Sequence, residues 1–171
     1  MTETSIKPPE NRRGGPRRVA GLSVRTRNAD EGSGDTAQIP GLWGRFSGED
    51  WFGRLERLGA RGPRVAVYSD YESDGMGVYR LLVGRETPAG TVLGPGIETA
   101  DVAGGEYLVL ACRGPIPGVV IAGWSRVWEF FSCPGALRRA FTADLEVYDA
   151  DGGGLEIWVA VERSGSPPAA S

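Results

Sequence analysis

Tyr71-Glu72-Ser73-Asp74-Gly75-Met76-Gly77-Val78 and Tyr148-Asp149-Ala150-Asp151-Gly152-Gly153-Gly154-Leu155 share one pattern: a tyrosine, then acidic residues, then a glycine-rich turn. The same spacing separates Ile39-Pro40-Gly41 from Ile116-Pro117-Gly118. Two segments that keep one register mark a duplicated supersecondary unit. In each copy the Asp-Gly turn lies between two apolar, β-branched runs, which is the signature of a β-hairpin. The first hairpin spans residues 64–72 and 78–85, and the second spans residues 141–148 and 155–161.

Working outward, a strand and a helix precede each hairpin. Residues 18–27 mix apolar and β-branched side chains. After them Asp35 or Thr36 is placed to cap a helix carrying Ile39, Leu42, Trp43 and Phe46 at helical spacing, and Trp51, Phe52 and Leu55 continue its apolar face. In the second copy residues 106–112 form the strand. Residues 119–131 form the helix, with Val120, Trp124, Val127, Trp128 and Phe131 along one stripe. Residues 91–102 link the copies as an extended segment with Gly-Pro bends. The expected fold class is therefore α+β: a tandem strand-helix-strand-strand repeat, an antiparallel sheet with two helices on one face, and a ligand cleft between the units. The units fall at about 18–86 and 92–163, within a domain of residues 18–163. Residues 1–17 and 164–171, rich in Pro, Gly and small polar residues, read as disordered tails.

Composition narrows the chemistry. The chain has 171 residues, 40% hydrophobic and 24% charged, which suits one domain with a sizeable core. A net charge of −3 gives no general attraction to phosphate, and Arg12, Arg13, Arg17 and Arg18 form only a short basic run. Nucleic acid is not an expected partner. There is no histidine, so histidine-based nucleophile systems and His-ligated zinc are excluded. Cys112 and Cys133 have no CxxC spacing, and no metal or cofactor is expected. No apolar run reaches the roughly 20 residues that cross a bilayer, and no apolar leader segment opens the chain. The expectation is a cytoplasmic protein without a membrane partner, and a monomer.

The second hairpin carries the candidate site. Alternation places Ala143, Leu145 and Val147 on one face of the strand, and Asp144, Glu146 and Tyr148 on the other. In the last strand Leu155, Ile157, Val159 and Val161 form the apolar set, with Glu156 and Trp158 opposite. Matching the apolar sets against the helices sets Glu146 across from Trp158 and Tyr148 across from Glu156, on the sheet face away from the helices. A carboxylate between a Trp and a Tyr is a receptor for an organic cation.

Four strings in order resemble the GyrI-like effector-binding domain, the small-molecule module of AraC-type and MerR-type multidrug regulators and of stand-alone proteins. They are Val65-Ala66-Val67-Tyr68-Ser69-Asp70-Tyr71-Glu72-Ser73-Asp74, Gly105-Glu106-Tyr107, Trp124-Ser125-Arg126-Val127-Trp128-Glu129-Phe130-Phe131 and Asp144-Leu145-Glu146-Val147-Tyr148. The resemblance covers nearly all of the foldable chain and implies an SHS2-like tandem fold with a pocket between the units. It implies that Glu146 meets a cationic ligand, and that Tyr148, Trp158, Tyr71, Tyr79, Trp124 and Trp43 supply flat surfaces around it. Too little chain flanks the domain for a helix-turn-helix, so a stand-alone effector-binding protein is expected, sequestering or sensing a hydrophobic aromatic or cationic compound.

Two alternatives remain open. Some relatives of this type hydrolyse strained cyclopropane-bearing genotoxins. In that case Glu146 is the base that activates water, with Glu156 or Tyr148 as the acid. The other alternative is a protein-interaction regulator such as a gyrase inhibitor, which depends on an exposed patch and not on Glu146. Replacing Glu146 with Gln is expected to leave folding nearly intact.

Overall fold

The computed structural model describes residues 3–163. In the first unit, strand β3 (Arg17–Thr26) leads through a single turn α1 (Asn28–Glu31) into helices α2 (Ile39–Gly48) and α3 (Trp51–Arg57). Strands β4 (Arg64–Ser69) and β5 (Tyr79–Glu86) complete it. Strand β6 (Glu98–Val102) is the link. The second unit is β7 (Gly105–Arg113), α4 (Gly118–Ser132), a short β8 (Leu137–Arg139), β9 (Ala143–Tyr148) and β10 (Gly154–Arg163). Both units thus run strand-helix-strand-strand, in one antiparallel sheet.

Within each unit the first strand pairs with the last, and the middle strand reaches the seam. The order β7-β10-β9 is therefore mirrored by β4-β5-β3, with β9 and β4 joined through Ala66↔Glu146 and Tyr68↔Asp144. The helices lie on one face. There Leu42, Phe46, Trp51 and Leu55 from α2–α3, and Val119 and Val127 from α4, pack on Leu81, Val83, Leu110, Leu155 and Ile157. Full burial of each large side chain is worth about 1.5–3 kcal/mol, so this layer dominates the stability of the fold.

The opposite face is also buried, but by strand residues alone: Val19, Val65, Val67, Leu82, Val109, Leu145 and Trp158 among them. The sheet curls until its two halves meet. Arg17 of β3 stacks 4.7 Å over the Trp158 ring of β10, although three strands separate them in the sheet. Burial on both faces explains the uninterrupted apolar runs Val65-Ala66-Val67 and Leu81-Leu82-Val83.

Several expectations are corrected. The segment read as an N-terminal tail contains strands β1 (Ser5–Ile6) and β2 (Glu10–Gly14), which pair in succession along β7. The tail expected at 164–171 lies outside the described residues. The cap of α2 is neither Asp35 nor Thr36. The Glu31 carboxylate accepts from Gln38 N at 2.8 Å and Ile39 N at 3.1 Å, while Thr36 donates to Asp30 O. An acidic side chain at a helix N-terminus meets both the free N–H groups and the positive end of the dipole. The first helix is broken at Glu49-Asp50, where Asp50 takes a left-handed conformation (φ 49°) and accepts from Gly53 N to start α3. On α4 the inward row is Val119-Gly123-Val127, one step round from the expected stripe, so Trp128 stands 52% exposed.

The hairpin register also differs. Leu155 pairs with Tyr148, Ile157 with Glu146, and Trp158 with Leu145. The expected register holds only for a sheet with a single buried face. With both faces buried, the apolar set of β9 (Ala143, Leu145) faces away from the helices, and Asp144, Glu146 and Tyr148 turn toward them.

Candidate functional site: an aromatic cavity at the seam

The corrected register places polar side chains under the helices, where they must be satisfied or exposed to a cavity. A cavity of about 440 Å³ opens there, between the units. Tyr68, Tyr71 and Tyr79 from the β4–β5 hairpin form its floor, and Ile39 and the α1 turn with Asn28 and Glu31 form one wall. Val120, Ile121, Trp124 and Trp128 of α4 form the other wall, and Arg139 of β8 closes one end. The rings touch in sequence. Phe141 to Tyr71 is 5.5 Å between centroids, Tyr71 to Tyr79 is 5.9 Å, Tyr79 to Tyr68 is 5.5 Å and Tyr68 to Trp124 is 5.2 Å, all edge-on or tilted. Such pairs gain beyond their buried area and hold one another rigid.

Glu146 lies behind this layer, 2% exposed. Its Oε1 accepts from Tyr68 OH at 2.7 Å and Trp124 Nε1 at 2.8 Å, and its Oε2 accepts from Tyr148 OH at 2.5 Å. All three donors are neutral, and among the described residues no arginine or lysine forms an ion pair with it. The two donors to Oε1 are themselves cavity-lining residues. A buried carboxyl group therefore sits directly beneath the aromatic wall.

Asp144, fully buried, is treated differently. Tyr71 OH donates to it, Ala160 N donates at 2.9 Å, and Arg139 Nη2 forms an ion pair at 2.7 Å. Burial, and then the neighbouring carboxylate charge, push Tyr68, Tyr71 and Tyr148 well above the ordinary phenol range. Burial first pushes Tyr79 up to about 12. The hydroxyls remain protonated donors. Tyr79 OH donates to Asn28 at 3.0 Å, which ties the α1 turn to the floor.

Of the residues singled out from sequence, Trp124, Tyr71 and Tyr79 line the cavity directly, and Glu146 lies one layer behind. Tyr148 is behind as well, with Trp43 edge-on to it at 5.4 Å; neither lines the opening. Trp158 is on the other face of the sheet, against Tyr107, beneath Arg12 and Arg17. Glu156 accepts from Trp158 Nε1 at 3.0 Å and pairs with Arg12 at 2.9 Å, away from the cavity. The set Glu146, Glu156 and Tyr148 is therefore not assembled in one place.

Sequence reasoning missed Tyr68, Asn28, Glu31 and Arg139. Tyr68 ends the run Val65-Ala66-Val67-Tyr68, which has no alternation to reveal its face. Arg139 reaches Asp144 only because Phe141 turns the chain through a left-handed conformation (φ 52°). Among the described residues no cluster of His, Cys, Asp and Glu is arranged to hold a metal ion, and no helix is long and apolar enough to cross a membrane.

A tandem-unit sheet with an aromatic cavity at its seam defines the class: an effector-binding domain for small molecules. The chain belongs to the Cass2 family of integron-associated effector binding proteins, which matches it over residues 15–161. It is 31% identical to YobU of Bacillus subtilis over 153 residues, 86% of this chain and 93% of that one. The integron cassette protein VCH_CASS2 from the mobile metagenome of Vibrio cholerae is 30% identical, superposes with a TM-score of 0.79, and is matched over 93% of this chain and 99% of its own. SAV2435 bound to tetraphenylphosphonium shares the fold (TM-score 0.71, 18% identity, 91% and 94% covered).

Proposed function

We propose that this protein captures a bulky organic cation with aromatic or apolar substituents in the seam cavity, to sequester or sense it in the cytoplasm. The observation that carries this reading is Glu146: a buried carboxylate with only neutral donors around it, immediately behind two residues that line the cavity. Asp144 is already matched by Arg139, whereas Glu146 has no cationic partner among the described residues. In a site that excludes water, a carboxylate acts over several ångströms far more strongly than it does in solvent. The π-faces add about 0.5–2 kcal/mol for each ring that meets a desolvated cation. That a fold-sharing protein holds tetraphenylphosphonium supports the same ligand class here.

The test is a tryptophan-fluorescence and calorimetric titration with tetraphenylphosphonium. The wild-type protein is expected to saturate, and Glu146→Gln, which keeps the shape and removes the charge, is expected to bind at least about tenfold more weakly (~1.4 kcal/mol). Equal affinity in the folded Glu146→Gln protein would remove Glu146 from the site.

A further inference from the structure

One cation is already part of the cavity wall. Arg139 on β8 has a side chain only 11% exposed, pairs with Asp144, and stacks 4.4 Å over Phe141 and 5.9 Å from the Trp124 ring. Its Nε is buried and, among the described residues, has no hydrogen-bond partner. A guanidinium presents five N–H donors in a fixed planar fork. One arm of this fork is held by Asp144, and the side chain lines the cavity. Its buried Nε donor is unpaired among the described residues, so that a ligand whose entry shifts the guanidinium can bring an acceptor to it. Burying a donor unpaired is costly, and that cost is recovered by any ligand that brings an acceptor to it.

Charge decides which acceptor fits. Glu31 lines the cavity, Glu146 backs it and Asp144 flanks it, against the single guanidinium that Asp144 already matches. An anionic acceptor would meet two further carboxylates at low dielectric. A neutral oxygen, such as an ester or amide carbonyl or an aryl ether, takes the hydrogen bond without that repulsion. We propose that Arg139 is a specificity-determining residue, selecting those organic cations that also carry a neutral acceptor oxygen near the cationic centre. This rests on the cation-binding reading of the cavity. It adds Arg139 as a second recognition point, beside the Trp124 ring whose Nε1 donates to Glu146.

Three probes with one cationic head separate the possibilities: pentyltriphenylphosphonium, the methyl ester of (carboxybutyl)triphenylphosphonium, and its free acid at neutral pH. Calorimetry on the full chain is expected to show the ester binding about tenfold tighter than the pentyl compound, with the acid weakest. Arg139→Lys keeps a positive charge beside Asp144 and deletes Nε. Whatever it does to the affinity for the pentyl compound, it should bring the ratio of ester to pentyl affinity down to about one. If the pentyl compound binds but the ester shows no advantage, or keeps it in Arg139→Lys, the inference fails and the cation reading stands. A tightest free acid overturns the neutral-oxygen class. Binding of none of the three overturns the cation reading together with the inference. Should Arg139→Lys not fold, Asp144→Asn/Arg139→Met removes the ion pair as a unit and gives the same readout.

Discussion

At the scale of single residues, Glu146 shows how a buried charge is tolerated. Its two oxygens take three hydrogen bonds, and two of these share Oε1. A glutamine in the same rotamer keeps that shared acceptor, and its amide can donate to the Tyr148 hydroxyl, which rotates to accept. Glu146→Gln is therefore expected to melt within a few degrees of the wild type. Glu146→Leu leaves Tyr68 OH, Trp124 Nε1 and Tyr148 OH without this acceptor, at about 1–3 kcal/mol for each buried donor. For a chain of this size each kcal/mol lowers Tm by roughly 2–4 °C. Thermal unfolding of the two variants checks this. A glutamine variant that melts as low as the leucine variant would make the charge itself structural.

At the scale of elements, β3 and β5 leave no room for a side chain where Gly21 pairs with Gly84. A Cβ at Gly84 would lie 1.8 Å from Ala20 O, and one at Gly21 would lie 1.9 Å from Val83 O. Both obstacles are backbone, and neither can move without breaking the ladder. Gly84→Ala is expected to cost about 3 kcal/mol, at the upper end of ordinary overpacking, measured as a lower denaturation midpoint with an unchanged slope. A cost under about 0.5 kcal/mol would mean that the two strands separate readily. Elsewhere α4 packs Gly123 against Ile157 Cδ1 and Cys112 Sγ. That close seat fixes the height of Trp124 above Glu146, and so the cavity wall depends on an element whose inward row contains no ligand-facing residue.

For the whole molecule, protonation links the cavity to stability. All five tyrosines are shifted above their ordinary value of 10, with burial as the leading cause in each, and Tyr79 reaches about 12. Burial likewise raises Cys112 from 9 to about 11. Between the ordinary and the folded values the unfolded chain has released protons that the native protein still holds. Stability therefore falls as pH rises through that window. Full stability from these groups is present below about pH 9 and is lost between roughly pH 9 and 12. Melting curves across this range should shift downward, with tyrosinate absorbance appearing together with unfolding. Tyrosinate that forms near pH 10 in a still-folded protein would contradict the packing described.

The repeat, the paired hairpins, the helical spacing of Leu42, Phe46 and Val127, and the membership of Glu146 in an acidic strand face are properties of local sequence, and they determined the fold class and pointed to the seam. Hydrophobic periodicity reports which residues avoid water. It does not say which of two buried faces they enter. For that reason the side of Glu146, the separation of Trp158 and Glu156 from it, and the exposure of Trp128 were decided only by the tertiary structure, when the sheet curled and buried its second face. The same holds for Arg139 and Asp144, for Glu31 at the start of α2, and for the pairing of residues 5–14 along β7. Each depends on how a turn or strand folds back on its neighbours, which hydrophobic periodicity along the chain does not report.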